Sequence, residues 1–174
     1  RRRRELIEQV LAPAPGGLGL AVITQLRELR IEAGKPFRIL VVDGSESTLR
    51  EFAHRLEVDF GPSLLHARLG EQIIAVVPEA AFERVRDDLE DRGARRWGAM
   101  LVAHSPALHM FEVVPDEFAL VERVLDAARR SGYTETLVSL KTYGAIGAFL
   151  TKVTLEPTRL GIAEVVGPVL DYDR

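Results

Sequence analysis

The chain has 174 residues, 47% hydrophobic and 28% charged, which suffices for one domain of ordinary size with a real core and excludes a disordered segment. A formal net charge of −3 and a pI near 5.9 leave no bulk positive field, so strong DNA binding by this chain alone is not expected. Cysteine is absent, which removes disulfides and thiol catalysis and fits a reducing cytoplasm; no apolar run approaches membrane-spanning length and no signal-peptide pattern opens the chain.

Arg1 to Arg4 form a short basic run, read as a solvated helix start rather than a nucleic-acid arm. Leu6, Ile7, Val10 and Leu11 then recur at helical spacing and predict a helix to about Ala12, broken by Pro13-Ala14-Pro15-Gly16-Gly17. A second helix is predicted from Leu18 to Arg30, with Ala21, Val22, Leu26 and Leu29 as its apolar face. Phe37 to Val42 reads as a buried strand, followed by a turn at Asp43-Gly44-Ser45. Ser47 is the expected N-cap of a helix whose Leu49, Phe52, Ala53 and Leu56 form a sheet-covering stripe.

Leu64 to Arg68 and Gln72 to Val77 read as a hairpin around a glycine turn. Pro78-Glu79 opens another helix, with Phe82, Val85 and Leu89 inward and Arg92-Gly93 as its expected cap. Trp97 to Ala103 reads as a fourth strand, His104 to Met110 as a loop, and Val113-Val114 as a short extended piece. Pro115-Asp116-Glu117 opens the clearest helix, with Phe118, Val121, Leu125 and Ala128 inward and Arg129-Arg130 at its negative end. Thr136 to Leu140 is predicted as a fifth, edge strand, and Tyr143 to Leu150 and Pro157 to Leu170 as two last helices.

From Phe37 the order is β-α-β-β-α-β. It predicts an α+β class, the ferredoxin-like or palm arrangement: a mostly antiparallel sheet with helices on one face, here with flanking N- and C-terminal helices. Three parts are expected: a helical linker over 1–34, the main domain over 35–155, and a C-terminal helix over 156–174. Both ends read as cut from a longer protein. The tail's apolar residues, among them Phe149, Leu150, Leu160, Val165 and Leu170, exceed what a linker needs and point equally to burial within the chain and to a dimer contact.

Chemistry is sparse in the pattern. Asp43 follows the first strand, and Gly70 and Glu71 lie in the hairpin, where carboxylates could hold a divalent metal and glycine could admit a nucleotide. The competing reading makes Asp43 a turn residue and Glu71 a solvated one. Gln72 follows, a poor ligand for a hard cation. His104 and His109 share a loop but show no third ligand, and Ser105 has no visible base, so neither metal nor nucleophilic catalysis is expected. Gly16-Gly17-Leu18-Gly19 precedes a helix, but no strand leads into it, which argues against a phosphate cradle.

Four places carry a resemblance: Arg3 to Leu11, Leu29 to Val42, the hairpin Arg68 to Pro78, and Val165 to Arg174. In this order they resemble the central GGDEF-like region of the PucR/CdaR family of bacterial transcription regulators. Against the Gly-Gly-Asp/Glu-Glu-Phe signature of nucleotidyl cyclases, Leu69 stands at the first glycine, Gly70 at the second, Glu71 at the first acid, Gln72 at the catalytic glutamate and Ile73 at the phenylalanine. The loop Ala103 to Val114 departs from the family's short Gly/Pro-rich stretch. The resemblance implies a non-catalytic, homodimeric, cytoplasmic signalling domain without cofactor. Its DNA contact would run through a helix-turn-helix outside this sequence. The alternative it implies is a sensor that holds a small-molecule effector in the vestigial cleft at Asp43, Arg68, Gly70 and Glu71. A surviving cyclase ranks last.

Overall fold

The computed structural model describes residues 2–61, 64–139 and 141, and of residues 92–96 the backbone alone. Five strands form one sheet: β1 (Phe37–Asp43), β2 (Leu65–Leu69), β3 (Gln72–Pro78), β4 (Leu101–His104) and β5 (Leu137–Ser139), in the order β2-β3-β1-β4-β5. The β1–β3, β2–β3 and β1–β4 pairs are antiparallel, and the edge strand β5 runs parallel to β4. The helices are α1 (Arg2–Leu11), α2 (Leu20–Glu28), α3 (Glu46–Phe60), α4 (Glu79–Trp97) and α5 (Val114–Arg130). The expected α+β, ferredoxin-like order is present, extended by α5 and β5.

Strand alternation sends side chains to opposite faces, and both faces are dry. Leu40 and Val42 of β1, Ile73, Ala75 and Val77 of β3, and Val102 of β4 pack under α3 and α4, where Phe52, Phe82 and Leu89 meet them. The other set, Phe37, Ile39 and Val41 with Ile74, Val76 and Ala103, packs under α1, α2 and α5. So the two helices of the βαββαβ unit do share one face. The flanking helices and α5 cover the second face and make three layers. α1 and α2 are part of this core, since Leu6, Ile7, Val10, Leu26 and Ile31 are all buried in the same cluster as the sheet.

Several expected boundaries move. Ser45, not Ser47, caps α3; its hydroxyl accepts from the Thr48 amide at 3.3 Å. α4 runs through Arg92-Gly93 to Trp97 and is capped at Gly98, whose φ is +59°. Trp97 therefore ends a helix rather than opening β4. Its buried ring meets Phe52 edge-on at 5.5 Å, and that packing outweighs the local stop signal. Val113-Val114 is not extended. Phe111–Val113 forms a 3₁₀ turn that feeds α5, with Phe111 stacked on Phe37 at 5.2 Å. The two helices expected beyond Tyr143 lie outside the described residues. No helix among the described residues is long and apolar enough to cross a membrane.

Candidate functional site

The hairpin end of the sheet holds the four residues singled out in the sequence. Leu69 pairs with Gln72 across a two-residue turn made by Gly70 and Glu71. Gly70 has φ +60° and Glu71 a negative φ, the pattern of a type II′ turn with glycine at its first central position. An added Cβ at Gly70 would meet nothing within 4 Å, so the glycine answers to backbone conformation and not to a close neighbour. Gly70→Ala is expected to cost about 1–2 kcal/mol of unfolding free energy through that conformation alone. Urea denaturation checks it.

The register brings Asp43 to the same end of the sheet, because Val42 lies opposite Ile73. It does not bring Asp43 and Arg68 together. Arg68 sits opposite Ile73 and so shares the face of α3, while Asp43 is in phase with Val41 on the face of α5. Each charge is already paired on its own side. Arg129 of α5 donates from Nε to Asp43 at 2.9 Å. Arg68 donates to Glu46, in the first turn of α3, at 2.6 Å, and from Nε to the Gly70 carbonyl at 3.1 Å. The hydrogen bond from Arg68 holds the Glu46 carboxyl below its ordinary range and raises Arg68 in turn. The hairpin is thus tied to α3 by Arg68, and the end of β1 to α5 by Asp43.

The histidines separate. His104 ends β4 and packs on Phe82 with the rings tilted at 50° and 4.8 Å apart, whereas His109 is exposed with Nδ1 at 3.5 Å from the Gly34 carbonyl. Among the described residues no three His, Asp or Glu side chains group as a metal site. Ser105 is fully buried. Its hydroxyl accepts from the Ile39 amide at 3.0 Å and donates to the Pro106 carbonyl at 2.7 Å, so it splices the loop onto β1 and both of those bonds are structural.

Two polar constellations escaped the sequence reading. In the first, Arg38 of β1 forks onto Glu79 at the start of α4 with two bonds of 2.6 Å, donates to the Ser105 carbonyl at 3.0 Å and covers the Phe82 ring at 4.5 Å. In the second, Arg3 of α1 reaches around the β2 edge to Glu57 of α3 at 3.5 Å, and the same carboxylate oxygen lies 3.7 Å from Nε2 of His66. His66 is 8% exposed, and its Nδ1 is buried without a partner among the described residues.

Arg3, Glu57 and His66 meet at this edge of the sheet, and the cluster titrates. Burial first, then the Arg3 charge, holds His66 below the ordinary 6.5, against the weaker pull of Glu57. The unfolded chain therefore takes up this proton before the folded one. Stability contributed here is full at neutral pH and is lost as pH falls through 6.5 toward the folded value. His66→Phe is expected to remove that part of the pH slope. Urea midpoints of both chains above and below that range check it.

No protein-family model matches the chain, and no curated protein matches it.

Proposed function

We propose that the chain is a non-catalytic signalling and dimerisation domain of a PucR/CdaR-type transcription regulator, working in the cytoplasm and acting on DNA through a helix-turn-helix outside this sequence. The observation that carries the reading is the burial of α1. Leu6, Ile7 and Val10 are 5%, 0% and 0% exposed and pack into the sheet core beside β2. A displacement of whatever precedes α1 must then strain the sheet or expose this apolar surface. Either route couples an upstream event to α5, which packs on the same face and touches α1. Two such domains in a dimer would set the spacing of two DNA-reading heads.

The hairpin end agrees with a domain that has left catalysis. Its surviving carboxylate at the end of β1 neutralises Arg129, and Gln72 stands where the resemblance puts a catalytic glutamate. The sensor alternative, with Asp43, Arg68, Gly70 and Glu71 as rim, would have to recruit charges that face opposite sides of the sheet and are paired within the fold.

Sedimentation of the whole chain tests the proposal. A dimer is the expected result, and a strict monomer at all concentrations overturns it. Incubation with nucleoside triphosphates and magnesium is expected to give no cyclic product, and any product above background overturns the non-catalytic part.

A further inference from the structure

β2 is an edge strand, with α1 packed beside it on one face of the sheet and α3 on the other. Arg3 in the first turn of α1, Glu57 in the last turn of α3 and His66 of β2 come together at that edge. They share one atom. Oε1 of Glu57 lies 3.5 Å from Nη1 of Arg3 and 3.7 Å from Nε2 of His66.

The nitrogens around that oxygen are short of partners. Arg3 Nη1 and His66 Nδ1 are both buried without a hydrogen bond among the described residues, and 3.7 Å is too long for one at Nε2. The other charges on this side answer one another. Glu46 and Arg50 of α3 and Arg68 of β2 line one cavity with the ring, but both guanidiniums reach Glu46, at 3.4 and 2.6 Å. β3 adds no charge, since Ala75 lies opposite His66. Arg3 and Glu57 are left to act on the ring, Arg3 against its proton and Glu57 for it.

A neutral ring leaves the carboxylate to Arg3. A proton taken from solvent onto the ring's free lone pair puts two cations around a single oxygen, and both ring nitrogens then carry N–H. One cation must yield, and the fold decides which. His66 is 8% exposed and sits in the ladder opposite Ala75. Arg3 is 39% exposed and belongs to the first turn of its helix, where the backbone amides have no helical partner. Its guanidinium can turn to water. The imidazolium cannot, and a buried cation left unpaired is costly.

We propose that Arg3, Glu57 and His66 form a proton-operated clasp: a neutral ring lets Arg3 use the Glu57 carboxylate to hold the first turn of α1 at the β2 edge, and a protonated ring takes that carboxylate and releases the turn. The change is local. Leu6, Ile7 and Val10 stay in the sheet core, and only the entry to α1 loosens. In a chain whose signal arrives through α1, acid then softens the point of arrival. The clasp does not rest on the regulator reading, and its failure would leave the sedimentation result untouched.

Amide hydrogen exchange of the whole chain by NMR, from about pH 8 to about pH 5, tests the proposal, with the His66 ring protons followed in the same samples. The amides of Leu6 and Ile7 bond back to Arg2 and Arg3 in helical geometry and report on the first turn. Their protection, corrected for intrinsic exchange and taken relative to Val10, is expected to fall about two- to fivefold as the ring titrates, the factor a partly exposed ion pair is worth. Two variants should abolish the step at opposite levels. His66→Phe keeps Arg3 on Glu57 and stays protected at every pH, whereas Glu57→Gln weakens the clasp throughout and stays low. A ring that does not titrate in this range overturns the proposal, as does a parent ratio that stays flat while it titrates. A step that survives in either variant overturns it too, since the loosening would then come from other groups.

Discussion

Replacing Ile7 by alanine is expected to lower the unfolding free energy by about 2–5 kcal/mol, with the urea midpoint shifted and the denaturant slope unchanged. Ile7 is fully buried and lies at the centre of the α1 stripe, between Leu6 and Val10. Truncation removes three carbons from a packed site between helix and sheet. Neighbouring strands are fixed by their ladders, so collapse into the space is limited. The size of the loss discriminates between two pictures. If α1 folds as one unit with the sheet, the whole transition moves by that amount. If α1 docks and undocks by itself, the global midpoint moves by less than about 1 kcal/mol, and hydrogen exchange quickens in α1 alone. The signalling proposal needs the first behaviour in the resting state, because a helix that floats free transmits nothing.

The parts of this fold that sequence made legible are those where local chemistry and tertiary packing agree. Phe37 to Val42 reads as a strand because both of its faces are buried, which leaves a continuous apolar run. The hairpin was visible because Gly70 answers a backbone demand that other residues meet poorly. α4 is the counter-case: Arg92-Gly93 has the composition of a stop, yet Trp97 gains enough from Phe52 to keep the helix going. The candidate site was legible only in its position along the chain. That Asp43 and Arg68 fall on opposite faces follows from strand parity and register, and register is not written in either segment alone. The partner of Asp43, Arg129, is 86 positions away. His66 carried a usable signal, a histidine inside a short strand with apolar neighbours on both sides, which marks an inward or edge-covering imidazole. The residues that hold it, Arg3 and Glu57, belong to two helices that only the fold brings together.

Glu79→Ala should cost about 2–3 kcal/mol at neutral pH. Glu79 and Arg38 are 24% and 18% exposed, so the pair is neither a surface ion pair nor a fully buried one. Removing one partner of a buried pair typically costs 3–5 kcal/mol, and residual solvent access reduces that here. What remains after the substitution explains the loss: Arg38 keeps the Ser105 carbonyl and the Phe82 ring but has no counter-charge in a site it cannot leave without exposing Phe82.

The effect carries its own pH signature. The Arg38 bond holds the Glu79 carboxyl below its ordinary 4.5, so the stabilisation is full above that value and disappears as pH falls through the folded one. The gap between parent and Glu79→Ala should therefore narrow on acidification, whereas the loss from a simple cavity would not change with pH. The double variant Arg38→Met/Glu79→Leu separates attraction from desolvation. Apolar residues of similar volume remove both charges and restore packing against Phe82, so most of the single variant's loss should be recovered at neutral pH. A double variant no more stable than Glu79→Ala would instead mean that the fork itself, and not the stranded guanidinium, sets the strength of the junction between β1, α4 and the Ser105 loop.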